Sequence, residues 1–372
     1  MKTSYQICTR CVMDTSASDI SFDEHGKCNY CTEFLARSGH ILDKDPSQRN
    51  QELNTFLAKV KKNGEGKPYD CIIGVSGGVD SSWVLVQAIK HGLRPLAVHM
   101  DNGWNSELAQ SNIANLVRGL GVDLYTHVID WNEYKKLMQA FFDANVVDIE
   151  LLYDNAMLAV NYQQAKKYGI KYILSGSNQA TEGMRMPKAW NWLKFDKHHI
   201  KGLGKRNGIK KFNTFPTIGT LDFIWYEFVC RIHWTPFLDY FDFNKNAAMQ
   251  ALEFEHSYKP YPYKHYESIF TRFYQGYILP TKFLIDKRRL HLSTLIATDQ
   301  MKRDDAIHDL EGIPYPNLES LEEDKRYFLK KMGWNSERLT QYINAPKVLH
   351  EKYASERPLW DFLMRIYKSI RL

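Results

Sequence analysis

The run Ser76-Gly77-Gly78-Val79-Asp80-Ser81-Ser82 has the residue types and the setting to hold phosphate. It stands between a short apolar run of strand character, Ile72 to Val75, and a segment of helical character, Ser81 to Lys90, that closes at His91-Gly92. Two glycines at the turn tolerate positive φ and let backbone N–H groups approach an anion. The helix that follows adds its own unsatisfied N–H groups and the positive end of its dipole. The Gly-Lys-Ser/Thr ending of a Walker loop is missing. A bare tight turn is the plain alternative, and the length of the polar run argues against it.

Four cysteines form a second constellation. Cys8-x-x-Cys11 and Cys28-x-x-Cys31 flank residues 12–27 and can close a tetrahedral site of four thiolates, the preference of structural Zn²⁺. A catalytic zinc would leave one position to water, and four thiolates leave none. A redox pair or an iron–sulfur cluster would use the same ligands. Ile20-Ser21-Phe22 before His25-Gly26 is expected to make a small hairpin that brings the two pairs together. So small a module has little core, and its metal would supply much of its stability.

Positioning these groups takes a sheet. From Tyr69 onward strands and helices alternate: a second strand at Arg94 to Met100, a helix at Glu107 to Leu120 and a third strand at Asp123 to Ile129. Helices at Glu133 to Asn145 and Tyr153 to Tyr168 precede a fourth strand at Lys171 to Leu174. Such alternation implies right-handed crossovers and a parallel sheet covered on both faces. Ligands of such sheets sit beyond the carboxyl ends of the strands. Three polar clusters fall there: Ser76 to Ser82, Asp101-Asn102-Gly103, and Ser175-Gly176-Ser177-Asn178-Gln179-Ala180-Thr181-Glu182. Asp101 or Asn102 would contact ribose or adenine, or Asp101 would serve as a turn residue.

The chain divides into a metal module over residues 1–37, a helical bridge over 38–68, an α/β domain over 69–310 and a helical region over 311–372. Within the α/β domain, residues 183–280 lose the alternation and gather aromatics (Trp190, Trp192, Trp225, Trp234, Tyr258 to Tyr277) among scattered lysines and arginines. Such a stretch would stack RNA bases, or form a core and a lid over an anionic small substrate. His198-His199 is adjacent rather than helically spaced and is not read as a metal site.

With 372 residues, 44 % hydrophobic and 25 % charged, the composition is that of a globular protein with a sizeable core. A net charge of +6 suits anionic small substrates and does not by itself demand nucleic acid. Ile218 to Phe237 is broken by Asp222, Glu227 and Arg231, so no membrane span is expected. MKTSYQICTR has no apolar core of signal-peptide type, and six cysteines, four of them in pairs, favour metal over disulfides. The cytoplasm is the expected compartment.

In order, Cys8-Thr9-Arg10-Cys11-Val12-Met13-Asp14-Thr15, Ile20-Ser21-Phe22-Asp23, Gly26-Lys27-Cys28-Asn29-Tyr30-Cys31, the Ser76–Ser82 loop, Ser175-Gly176-Ser177-Asn178 and Ile285-Asp286-Lys287-Arg288-Arg289 share one chain. The loop resembles that of the ATP-pyrophosphatase (PP-loop) family. The whole set resembles the N-acetyl sugar amidotransferases of bacterial surface-polysaccharide (LPS O-antigen) biosynthesis, over residues 5 to 310. The resemblance implies a doubly wound parallel sheet of the adenine nucleotide alpha hydrolase-like type. It implies ATP and pyrophosphate held by Ser76, Gly77, Gly78, Val79, Asp80, Ser81, Ser82, Asp101, Gly176, Ser177 and Asn178, with Mg²⁺ on Asp80 and Glu182. A late cation would return to the pyrophosphate, with Lys282, Arg288, Arg289 and Arg303 as candidates, and Lys282 and Arg288 are taken as catalytic beside Asp80 and Glu182. Arg185 and Lys188 would contact an anionic substrate. The implied reaction turns an acetamido group of a (nucleotide-)sugar into an acetamidino group, with ATP cut to AMP and pyrophosphate. Ammonia would come from a separate glutaminase, with a cyclase-like conduit subunit, since no cysteine here is placed as a glutaminase nucleophile. A zinc-containing tRNA-thiolating enzyme of the same superfamily is the alternative, and a non-catalytic nucleotide-binding subunit a third. Cys71 and Cys230, outside the pairs and not in a Cys-x-x-Cys, are expected to be core residues rather than sulfur carriers.

Overall fold

The computed structural model describes residues 5–261 and 266–371. Two cysteine-bearing turns lead into α1 (Asn29–Leu42) and α2 (Pro46–Gly64). Alternation then sets in: β1 (Cys71–Gly74), α3 (Val79–Lys90), β2 (Pro95–Asp101), α4 (Glu107–Leu120), β3 (Leu124–Val128), α5 (Trp131–Asp143), α6 (Leu151–Lys167), β4 (Tyr172–Ser175) and the single turn α7 (Gln179–Glu182). Next come α8 (Lys197–Arg206), α9 (Thr220–Ile224) continuing as the π-helical turn Trp225–Val229, β5 (His233–Pro236) and α10 (Lys245–His256). The rest is helical: α11 (Ile269–Phe273) continuing as π-helical Tyr274–Phe283, α12 (Arg288–Ala297), α13 (Arg303–Leu310), α14 (Leu318–Met332), α15 (Ser336–Asn344) and α16 (Arg357–Arg371).

Every strand pair is parallel, in the order β3-β2-β1-β4-β5. The winding reverses between β1 and β4, which is the switch point of a doubly wound sheet. Alternation along the strands explains why both faces are covered. Ile72, Leu96, Val98 and Met100 pack on one side with Tyr134, Leu137 and Phe141 of α5 and with Leu151, Leu152 and Ala159 of α6. Cys71, Ile73 and Ala97 pack on the other with Leu53, Phe56, Leu57 and Val60 of α2, Val84 and Leu85 of α3, and Leu252 of α10. The buried Cys71 thiol is pushed well above its ordinary pKa by desolvation.

Two departures from the sequence reading have physical causes. Helix α3 begins at Val79 rather than Ser81, because Gly78 in extended conformation is its N-cap and Asp80 then falls in the acid-favouring first turn. A fifth strand, His233–Pro236, lies inside the aromatic stretch and pairs in register with β4 (Tyr172 with His233, Ser175 with Pro236). Its four residues end in proline, which an edge strand tolerates and a pattern search discounts. Most of the aromatics nearby are core rather than exposed platforms: Trp190, Trp192, Tyr258, Tyr266 and Tyr274 are buried. Tyr263 lies outside the described residues.

The C-terminal helices close over one end of the sheet. Trp104, Phe142, Phe270, Phe328 and Trp334 form a connected set of ring contacts at 4.9–6.4 Å. Lys331 of α14 donates to the Gly103 carbonyl and lies 4.7–5.3 Å over the rings of Trp104, Trp131 and Tyr327. Arg272 pairs with the buried Asp324 carboxylate, which also accepts from the Tyr315 hydroxyl at 2.9 Å.

Candidate nucleotide site and metal centre

The turn after β1 is a compact bowl. Gly77 has φ +85°, and a Cβ there would lie 2.8 Å from the Ala109 carbonyl, so glycine is required on both counts. Ser81 Oγ accepts from the Ser76 N–H at 3.3 Å, and Ser76 Oγ accepts from the Gly78 N–H at 3.4 Å. Since the cap residue Gly78 has no side chain, the first N–H groups of α3 receive no side-chain cap. The hydroxyls of Tyr258 and Tyr261 both donate to the Gly77 carbonyl at 3.1 Å, fixing the turn from the opposite side.

The loop after β4 presses directly on this bowl. A Cβ on Gly176 would come within 2.9 Å of the Asp80 carbonyl carbon and 3.0 Å of the Ser81 nitrogen. Ser177 N–H and Oγ both bond Ser175 Oγ, at 3.3 and 3.1 Å, and Asn178 caps α7 by accepting from Thr181 N–H at 2.7 Å. That short helix delivers Glu182 at its exposed end. The third cluster is tied in through β2. Asp101 Oδ1 accepts from Gly103 N–H (2.8 Å) and Asn105 Nδ2 (3.2 Å), so its turn role is plain in the structure. His99 donates from Nδ1 to the Val75 carbonyl at 2.9 Å and accepts from Asn105 on Nε2, a tautomer assigned from these partners.

Several neighbours had no signal in the sequence. The segment 267–269 runs antiparallel beside 104–106, with Ser106 N–H to Glu267 O at 2.8 Å and Ile269 N–H to Trp104 O at 2.9 Å. This places the Glu267 carboxylate against Gly78, where a Cβ would meet it at 2.2 Å. Lys245 Nζ approaches Asp80 Oδ2 at 3.8 Å. Glu267 and Lys245 follow the loop by more than 160 residues in regions without motif, so only the fold reveals them.

The late cations and Arg185 have partners away from the Ser76–Ser82 loop. Lys282 donates to the carbonyls of Tyr342 and Ala345 (2.6 Å for Ala345), the bare C-terminal acceptors of α15, and burial there pulls it down to about 8. Arg288 pairs with Asp286 at 2.7 Å and donates to the carbonyls of Asp309, Leu310 and Gly312. Arg185 stacks on Tyr30 at 4.5 Å and pairs with Asp19 (3.0 Å) and Glu33 (3.2 Å). Each forked or ammonium head has found a local carboxylate or helix end, a choice the sequence does not display. Lys188 is exposed. Arg289 and Arg303 serve the metal module: Arg289 pairs with Asp14 at 3.0 Å, and Arg303 donates to the carbonyls of Cys8 and Cys11.

The four cysteines form a closed centre. All are buried and none is in a disulfide, with Sγ···Sγ distances of 3.8 Å (Cys8–Cys31) and 3.6 Å (Cys11–Cys28, Cys28–Cys31). A tetrahedral ion with metal–sulfur bonds of about 2.3 Å sets edges of roughly 3.8 Å, so the residues fit Zn²⁺. Backbone N–H groups of Arg10, Cys11 and Cys28 point at Cys8 Sγ at 3.1–3.4 Å, as expected for a thiolate that must share its charge. Helix α1 carries the module to α7 and the residue that follows it. Phe34 packs on Gly183, Arg37 donates to the Gly183 carbonyl, and Ser38 bonds Gln179 at 2.9 Å.

Residues 267–367 match the family described as "LPS biosynthesis protein WbpG-like, C-terminal domain". No curated protein matches the chain in sequence. Among solved structures, it is similar to an NH3-dependent NAD synthetase from Campylobacter jejuni (16 % identity, 45 % of this chain and 75 % of that one, TM-score 0.28). It is also similar to an NMN synthetase from Francisella tularensis (16 %, 59 % and 99 %, TM-score 0.27) and to a 4-thiouridine synthetase in complex with RNA and ATP (18 %, 51 % and 42 %, TM-score 0.29).

Proposed function

We propose that the chain is the synthetase subunit of an ATP-dependent, AMP-forming amidotransferase that converts the acetamido group of a nucleotide-linked sugar to an acetamidino group. The observation that carries this reading is the bowl at Gly77-Gly78, walled by Gly176 and opening on the N-terminus of α3. The match of the C-terminal 267–367 to a family of LPS biosynthesis supports the sugar side of the proposal.

An amide oxygen is a poor leaving group, so ammonia cannot displace it. Attack of that oxygen on the α-phosphate of ATP would form an adenylated imidate. The released pyrophosphate would be received by the N–H groups of Gly77 to Ser81 and the hydroxyls of Ser76, Ser81 and Ser82. Ammonia would then add to the imidate carbon and AMP would leave. The chain's share is positioning and stabilisation of phosphate charge, which requires no side-chain nucleophile. Asp80 and Glu182 offer the hard oxygen ligands that Mg²⁺ prefers, and the bound ion would supply positive charge to the phosphates. Asp101, Ser177 and Asn178 would border the nucleoside, and Lys188 is the remaining exposed candidate for an anionic substrate. Ammonia would come from a separate glutaminase with a conduit subunit, because free ammonia is scarce near neutral pH. The thiolation alternative is disfavoured by its missing chemistry: Cys71 is sealed in β1, and Cys230 has no cysteine partner among the described residues.

The test is pyrophosphate release from ATP and ammonium chloride with UDP-linked N-acetyl sugars or bulk tRNA, followed by mass spectrometry. A sugar product in which NH replaces O is expected. Release with tRNA alone would overturn the proposal.

A further inference from the structure

The C-terminal helix α16 carries more apolar surface than the fold uses. Trp360, Leu363, Met364 and Tyr367 are half-buried at helical spacing, and Trp360 meets Phe195 at 5.5 Å and Phe223 at 5.7 Å. A second stripe, Leu359, Phe362 and Ile366, is exposed, with Phe362 at 59 %. Beside it, α9 and its π-helical continuation expose Leu221, Trp225, Phe228 and Val229, again at helical spacing, with Val229 at 67 %. Phe228 reaches Tyr367 at 6.3 Å, so the two helices share this part of the surface. Exposed apolar groups gathered on neighbouring helices call for a partner.

Charge identifies the partner. Two of the three acidic groups on these helices are paired with permanent cations, Asp222 with Lys197 (2.5 Å) and Asp361 with Arg357 (3.2 Å), and Glu227 lies 2.7 Å from His233 Nδ1. Arg231, Arg365 and Lys368 have no carboxylate partner among the described residues, and Lys166 rides over the Trp225 ring at 4.3 Å. The face is therefore apolar with an unmatched cationic border. A second copy docking by two-fold symmetry would set cation against cation. An open groove of about 510 Å³ at the foot of α16 mixes Arg357 and Arg365 with Glu351 and Asp361, so it is no dedicated anion pocket. The attraction is spread across the face, as a charged interface demands. No helix among the described residues is long and apolar enough to cross a membrane.

We propose that α16 and the segment 220–229 form a docking face for the surface of an anionic lipid bilayer, lying on it rather than spanning it. Phe362, Ile366, Phe228 and Val229 enter the headgroup boundary while Arg365, Lys368 and Arg231 meet lipid phosphates. The proposal is independent of the reaction assigned above.

Co-sedimentation with vesicles of pure phosphatidylcholine and of phosphatidylcholine with phosphatidylglycerol in equal parts tests it, with light scattering to give the oligomeric state. The wild-type chain should bind the anionic vesicles, release them as salt rises, and bind the neutral vesicles weakly. The double variant Arg365→Gln, Lys368→Gln should bind about 30-fold less tightly, a surface cation being worth about a factor of five. Phe362→Asp with Ile366→Asp should abolish binding, and unchanged circular dichroism in the charge variant guards against misfolding. Absence of wild-type binding to anionic vesicles overturns the proposal. So does equal binding to both vesicle types, or a dimer that falls apart in the Phe362 variant while vesicles are ignored.

Discussion

Replacing Gly176 by alanine tests whether the two loops form one site. The added methyl would sit 2.9 Å from the Asp80 carbonyl carbon, 3.0 Å from Asp80 Cβ and 3.0 Å from Ser81 N. Ordinary carbon contacts lie at about 3.5–4.0 Å, so each approach is short by roughly half an ångström or more. Two of the three neighbours are backbone at the start of α3, which cannot swing aside as a side-chain tip can. The loops must part, at a cost of about 1–3 kcal/mol. Carried by the binding reaction, that is about a 5- to 150-fold weaker affinity for ATP. Gly119→Ala in α4 is the control: nothing lies within 4 Å, and alanine there should stabilise by about 0.5–1 kcal/mol without touching the nucleotide. Calorimetric titration with a non-hydrolysable ATP analogue, alongside thermal unfolding, reads both quantities. Wild-type ATP affinity and wild-type stability in Gly176→Ala would refute the contact on which the site is built.

Other outcomes follow from the packing. Arg272→Met should cost about 3–5 kcal/mol in chemical denaturation, because it strands the buried Asp324 carboxylate, and the double variant Arg272→Met, Asp324→Leu should recover much of it. His350 is pulled down to about 3 from an ordinary 6.5, first by burial and then by His199, which it meets at 2.9 Å. Between those values the unfolded chain binds the extra proton, so stability is full above pH 6.5 and falls toward pH 3, by up to about 1.4 kcal/mol per unit; His350→Gln should flatten this slope, and an unchanged slope would exclude the residue as its source. Purified protein should carry zinc by elemental analysis, and Cys8→Ser or chelation should release it and expose Phe34 to proteolysis at α1, whereas full zinc content in Cys8→Ser would rule out the four-thiolate centre.

Local pattern carried the sheet a long way. The alternation from Cys71 to Ser175, the helix at Glu107–Leu120 and the four-cysteine pairing are all present in residue type and spacing, because each is settled within a few residues. β5 escaped because four residues ending in proline show no period. Glu267, Tyr258 and Tyr261 escaped because a side chain brought to the loop from far along the chain leaves no mark at either end. The partners of the late cations were hidden for a related reason. Sequence shows that Lys282 and Arg288 are basic, but only folding shows that helix ends and a carboxylate reach them first.

The grip of Arg303 on the carbonyls of Cys8 and Cys11 spans 295 and 292 positions of sequence. During synthesis the four thiols emerge well before the arginine that seats them. At about 5–20 residues per second the interval is roughly 15–60 s. Until then the cysteine module has neither Arg303 nor the α12 contacts of Val12 to hold it, and its thiols are open to oxidation. Early metal capture is the natural protection. Zinc supply during translation, rather than afterwards, would then govern how much of this protein reaches its folded form.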